Sequence, residues 1–170
     1  MQTWIRSESV VFWKTREPYG WLSNMCAGYP IEARVGPLAG RFPASEHLYI
    51  AMKYRDPARA AWLLATRNPI EAKRRSHAQH DLWFPDWDDR RLAAMREVLL
   101  TKFRQHRDLA RLLLQTGDRP IVEASSRDQF WGATPPTAPV LHGENHLGLL
   151  LMDLRAYIRD CARRHREQRQ

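Results

Sequence analysis

The sequence predicts an α+β fold in a single domain, mostly helical, with a small sheet built from N-terminal and central short strands. Three observations carry this. The first forty residues are rich in Gly, Pro and aromatic residues, with alternating apolar positions between turns. Residues 45–115 carry helical spacing broken by prolines, and a further apolar-periodic stretch closes the chain. The 170 residues make one ordinary domain, and 44% hydrophobic with 27% charged residues gives a packed core rather than a disordered chain.

Taken in order, Val10 and Phe12, then Ile31, Ala33 and Val35, alternate as strand residues do. A helix is predicted from Ser45, read as its N-cap behind Pro43, to about Arg55. A second spans Pro57 to Thr66, with proline in the first turn, and a third opens at Pro69. A long fourth helix runs from about Asp88 to Arg107, with Leu92, Met95, Leu99 and Phe103 on one stripe. Residues Arg107 to Gln115 continue it after a kink, and Thr116-Gly117 ends it as a glycine C-cap. A short strand follows at Ile121. The last helix starts at Asn145 or Leu147. The expected division is a domain over residues 1–158 and a basic tail over 159–170.

Charge narrows the function. A net charge of +8 and a pI near 10.1 attract polyanions, and arginine, which carries most of it, suits bidentate phosphate contacts. A membrane span is not expected: LGLLLM from Leu147 is about a third of the apolar run required. Arg6 and Glu8 stand where a leader would be apolar, so a cytoplasmic protein is expected. Cys26 and Cys161 read as reduced thiols, and the His77/His80 and His142/His146 pairs lack partners for a tetrahedral set, so no metal is expected.

Several residues are candidates for chemistry. Glu46, Tyr49 and Lys53 fall at i, i+3 and i+7, one face of a helix, and could line a polar cleft or simply face solvent. Trp87, among Pro and Asp residues, reads as a surface-turn indole that could stack a base, or as an indole plugging the base of a helix. Lys102 is placed opposite the apolar stripe of its helix. Ser23 and Asn24 could cap backbone groups or bind sugar hydroxyls, and Asn145 is either an N-cap or a ligand contact. In EASSRDQFWG, Asp128 is a loop carboxylate beside Trp131 and Gly132, or a turn cap with the indole in the core.

The words GWLSNM, SEHLYIAMKY, NPIEAK, DW, MREVLLTKFRQ, TG, EASSRDQFWG and GENHLGLLLMDLR, in this order from about Phe12 to Arg155, resemble the NADAR or YbiA-like family. The resemblance implies an α+β fold and cleavage of N-glycosidic bonds without a cofactor. Carried over, Glu46 and Asp128 are the expected catalytic carboxylates, facing one cleft. Ser23, Asn24, Tyr49, Lys53, Trp87, Lys102, Trp131, Gly132 and Asn145 are the expected substrate contacts. Met25, Tyr54 and Ala133-Thr134 depart from the family's pattern, the last in a way that bears on substrate choice.

The resemblance offers two substrates: ADP-ribose on guanine in nucleic acid, with a cognate ADP-ribosyltransferase toxin as partner, or ribosylaminopyrimidine intermediates of riboflavin synthesis. The positive charge favours the first, with DNA as a partner. A non-catalytic NAD or ADP-ribose binding module, or a basic nucleic-acid binder, are the other classes.

Overall fold

The computed structural model describes residues 1–168 and is α+β. In chain order the strands are β1 (Gln2–Ile5), β2 (Val10–Phe12), β3 (Ile31–Val35), β4 (Leu38–Phe42), β5 (Ile121–Glu123) and β6 (Val140–Gly143). The helices are α1 (Ser45–Ala51), α2 (Pro69–His77), α3 (Trp87–Gln105), α4 (Arg107–Gln115) and α5 (His146–Glu167). The strands form three two-stranded pieces. The chain divides into two compact units, residues 1–23 with 106–170 and residues 24–105.

In the first unit β1 pairs antiparallel with β6, and β2 runs parallel to β5. A parallel pair needs a long crossover, and here over a hundred residues separate its members. Val122, Ala124, Ala133 and Leu141 are buried together under Trp4, Val11 and Trp13. Helix α5 buries Leu147, Leu150, Leu151 and Leu154 along one stripe. The stripe also carries Arg155, whose guanidinium donates to Thr116 Oγ1 at 2.7 Å and to the Arg119 carbonyl at 2.9 Å. That arginine fastens the end of α4 to α5, and Gly117, at φ +66°, ends α4 as the sequence requires. The segment expected as a tail from residue 159 continues α5 to Glu167; Arg169 and Gln170 lie outside the described residues.

In the second unit β3 and β4 form a hairpin closed by Val35 and Leu38, with Gly36 at φ +54° in the two-residue turn. Helix α1 is buried on every side, and two expectations about it are corrected. Its N-cap is Ala44 rather than Ser45, because the Ala44 backbone is extended and the Glu46 amide is satisfied by the Asn24 carbonyl at 3.0 Å. It ends at Ala51 rather than Arg55. Beyond it, Phe84 donates to the Lys53 carbonyl at 2.7 Å and Tyr54 bridges Trp83, so strand-like pairing replaces the last helical turn. The predicted helix over Pro57 to Thr66 is a 3-10 run over Pro57–Leu64, opened by an Asp56 carboxylate accepting from the Ala58 amide.

Lys102 is a third correction. It follows Leu99 by three residues and Met95 by seven, which puts it on the buried face, and it is wholly inaccessible. Burial pushes its pKa down to about 7, opposed by the charge of Cys26. Burial also lowers Lys53, to about 8, and lowers His47, whose enclosed ring sits near the Ala44 and Thr66 carbonyls. All three shifts have one sign in stability. The unfolded chain binds the extra protons, so stability rises with pH, the histidine contributing below about 6.5 and the lysines from about 7 upward. The urea midpoint is therefore expected to climb between pH 5.5 and 8, and Lys102→Met to flatten the upper part. A wild-type midpoint that falls over this range contradicts the burial of these groups.

Candidate active site

The second unit gathers four of the predicted residues. Glu46 lies in the first turn of α1 and is buried to 7% exposure, where unpaired backbone donors favour a carboxylate. Tyr49 follows one turn later. Lys53 sits just past the end of the helix, buried, with its ammonium 5.1 Å from the Tyr49 ring centre, 5.8 Å from that of Trp87 and 4.3 Å from that of Trp83. Trp87 meets Tyr49 edge-on at 5.3 Å. The solvated helix face is thus ruled out: acid, phenol and ammonium are all withdrawn from water.

Opposing effects act on Lys53. The aromatic faces and Glu46 favour the cation, while burial and the neighbouring Lys73 oppose it; burial dominates and brings the pKa to about 8. Lys73 also lowers His77, chiefly desolvated, whose ring stands 5.2 Å from Trp83. A carboxylate, an amine that titrates near neutrality and a wall of rings therefore share one place. Such a set can transfer a proton and stabilise a developing positive charge beside a flat substrate.

Of its two readings Trp87 takes the buried one, at the base of a helix, rather than the surface turn. It opens α3 and is 8% exposed, because its ring is the floor beneath Tyr49 rather than a free platform. Trp83 was not foreseen. It is half-buried, fixed by an indole N–H donated to Ser76 Oγ at 3.1 Å, and is the ring nearest Lys53. The signal was the second indole four residues before Trp87 in LWFPDW.

Asn24 is buried with its amide nitrogen 2.9 Å from Met95 Sδ, and its side-chain oxygen has no hydrogen-bond partner among the described residues. Its backbone carbonyl holds the Glu46 amide, so that orphaned acceptor belongs to the neighbourhood of α1. Lys102, also in this unit, is a core residue. Ser23 is buried in the first unit, at the end of a 3-10 turn over Gly20–Leu22.

The first unit holds Asp128, Trp131, Gly132 and Asn145. Asp128 is exposed, and one of its oxygens accepts from the Phe130 amide at 3.0 Å and the Trp131 amide at 2.8 Å. It is a turn cap in this geometry. Trp131 is half-buried and edge-on to Phe130 at 4.9 Å. Gly132 permits close approach: a Cβ there would stand 2.5 Å from the Glu123 carbonyl. The carbonyls of Phe130 and Trp131 accept from the first two amides of α5, which ties the loop to the helix start.

Asn145 is the N-cap residue by position, at φ +55°, but its side chain makes no capping bond. The amide instead donates to the Ile121 carbonyl at 2.9 Å and accepts from the Glu123 amide at 3.0 Å, bracing β5. It is fully buried.

The NADAR domain family model matches residues 11–159. The chain belongs to the NADAR family. Among NADAR relatives it is 35% identical to an N-glycosidase of Nostoc punctiforme over 156 residues, covering 89% of this chain and 94% of that one. It is 32% identical to the N-glycosidase YbiA of Escherichia coli over 144 residues, 85% of this chain and 84% of YbiA. It is 33% identical over 158 residues to a riboflavin biosynthesis protein of Vibrio vulnificus, spanning 93% of this chain but 41% of that longer protein. The NMR structure of E. coli YbiA superposes with a TM-score of 0.74 at 31% identity, covering 89% of this chain and 85% of that one.

Proposed function

We propose that this NADAR protein is an N-glycosidase that hydrolyses the bond between ribose C1 and the nitrogen of an amino-heterocycle. The arrangement of Glu46 and Lys53 within the Tyr49, Trp83 and Trp87 rings carries the reading. Breaking an N-glycosidic bond leaves positive charge on the ribose and needs a proton on the departing amine. Glu46 serves the first need, either facing the oxocarbenium-like carbon or taking a proton from water. Lys53, protonated below pH 8, serves the second. Lys53 lies under rings rather than at the surface, which suits this role. Tyr49 orients the lysine, and Asp128 is the carboxylate that the family resemblance carries over. The names of the relatives from N. punctiforme and E. coli support the bond class.

For the substrate, we favour a phosphorylated ribosylaminopyrimidine of the kind a riboflavin pathway handles, on the strength of the V. vulnificus relative's name. The nucleic-acid reading, ADP-ribosyl-guanine in DNA with a toxin partner, rests on the charge of +8. Part of the surface arginine is paired. Arg90, Arg91, Arg111, Arg159, Arg163 and Arg164 each lie within 3.3 Å of an aspartate oxygen. Those aspartates are already subtracted in the +8, so the pairs decide where the excess charge lies and leave its size unchanged.

The two substrates are to be compared side by side. Release of heterocycle from the small phosphate is expected to be the faster and to change little from 50 to 300 mM salt. If an ADP-ribosylated oligonucleotide is hydrolysed faster, with a rate falling steeply over that salt range, the polymer reading replaces this one.

A further inference from the structure

In the second unit a hollow of about 730 Å³ is lined by Gly28, Pro30, Arg41, Pro43, Leu64, Ala65 and Arg67. Its volume is within the range of small-molecule sites, roughly 300–1,000 Å³. The floor is apolar: two prolines, a leucine and an alanine. The only charges are two guanidiniums, both exposed. Neither Arg41 nor Arg67 has a side-chain hydrogen bond or ion pair among the described residues. They thus differ from the six aspartate-paired arginines, and their donors are available to an incoming anion.

Two other hollows show the contrast. In one of about 300 Å³, Arg6 is joined by Glu17 and already donates to the Pro136 and Ala138 carbonyls. In one of about 200 Å³, Arg34 is joined by Glu32 and Glu97. Glu32 also stands opposite Arg41 in the hairpin register, yet it lines that other hollow, and no ion pair joins the two among the described residues.

We infer that the Arg41–Arg67 hollow is a phosphate subsite that takes the phosphorylated end of a nucleotide-sized ligand. Two planar forks with unused donors bind phosphate oxygens bidentately, and the prolines and Leu64 accept a flat or apolar body. The Gly28 backbone, at φ +98°, has open space where a Cβ would stand and leaves its side of the hollow unobstructed. Pro43 precedes Glu46 by three residues, so their Cα atoms are within ~11 Å of each other. Glu46 is not among the lining residues, so a ligand anchored here has to extend past Pro43 to meet the carboxylate. The inference rests on the N-glycosidase reading only for that last link; binding is measured without turnover.

The test uses the full chain and ADP as probe, with adenosine as the phosphate-free control and an eight-residue thymidine oligonucleotide as the polymer arm. Affinity by calorimetry and amide shifts by NMR are recorded for wild type, Arg41→Gln, Arg67→Gln and the double variant, with Arg41→Lys as a partial rescue. ADP is expected to move the Gly28 and Ala65 amides and to lose at least tenfold in affinity in each single variant, while adenosine stays weak throughout. Unchanged ADP affinity in the double variant, or unmoved amides, overturns the subsite. Loss of oligonucleotide binding in the same variants, with ADP indifferent, assigns the arginines to a polymer backbone and overturns the small-ligand form. The subsite stands, and the N-glycosidase reading fails separately, if ADP binds as expected and no substrate is cleaved.

Discussion

Replacing Glu46 by Gln is expected to lower kcat by ~10²–10⁴-fold with KM changed only a few-fold, the range for removing a positioned acid or base. The substitution keeps the shape of a side chain that is 7% exposed, so packing in α1 is preserved. What changes is the charge. An oxocarbenium-like carbon without a facing carboxylate loses its stabilisation, and water loses its base. Glu46 also raises the pKa of Lys53, so the glutamine variant should titrate at lower pH than wild type. Circular dichroism and a binding measurement establish that the variant folds and captures ligand. Asp128→Asn is the informative companion. Asparagine retains an oxygen to accept from the Phe130 and Trp131 amides, so the loop survives and only the charge is removed. A kcat drop of at least tenfold supports a second catalytic carboxylate, and an unchanged kcat leaves Asp128 as a turn cap.

The second large effect is a pH limb near 8 that belongs to Lys53. As proton donor the lysine works charged, so kcat/KM should be level below pH 7 and fall through about pH 8 as the amine deprotonates. Lys53→Met should abolish that limb and lower kcat by ~10²-fold or more. Methionine fills similar volume among the three rings and removes the desolvated charge, so stability at neutral pH should hold or rise. The opposite slope, activity rising through pH 8, would mean that the neutral amine is the working form and would reassign Lys53 from donor to nucleophile or base. An exposed lysine would put the limb above 10.

Much of this was legible in the sequence, and the rest was hidden for identifiable reasons. The apolar spacing of α3 and α5, the Gly117 end of α4 and the alternation in β2 and β3 are local signals, and the structure follows them except at Leu92 of the α3 stripe, which is 37% exposed. The grouping of Glu46, Tyr49 and Lys53 follows from helical spacing, but their burial does not. Spacing shows which residues share a face and is silent on what packs against it. Lys102 is misplaced by the same shortfall, which also leaves a surface indole and a helix-base plug both open at Trp87. Acidic neighbours implied a surface turn at Trp87, yet the indole points inward from the first position of α3 beneath Tyr49. Lys102 is expected opposite the apolar stripe, yet its register matches Met95 and Leu99 and it is buried. Asn145 was recognisable as a helix start, but its use in bracing β5 depends on a strand over twenty residues earlier. Trp83 took its place through the Tyr54 bridge, a pairing with no local signature.

The central claim is that this chain breaks a ribose–nitrogen bond with Glu46. The most direct measurement is mass spectrometry of the products when wild type and Glu46→Gln are each incubated with ribosylaminopyrimidine phosphate. Wild type is expected to release the free aminopyrimidine and ribose phosphate in equal amounts, and the variant to bind the same substrate and release almost none. Intact substrate with wild type, or equal release by both proteins, contradicts the account.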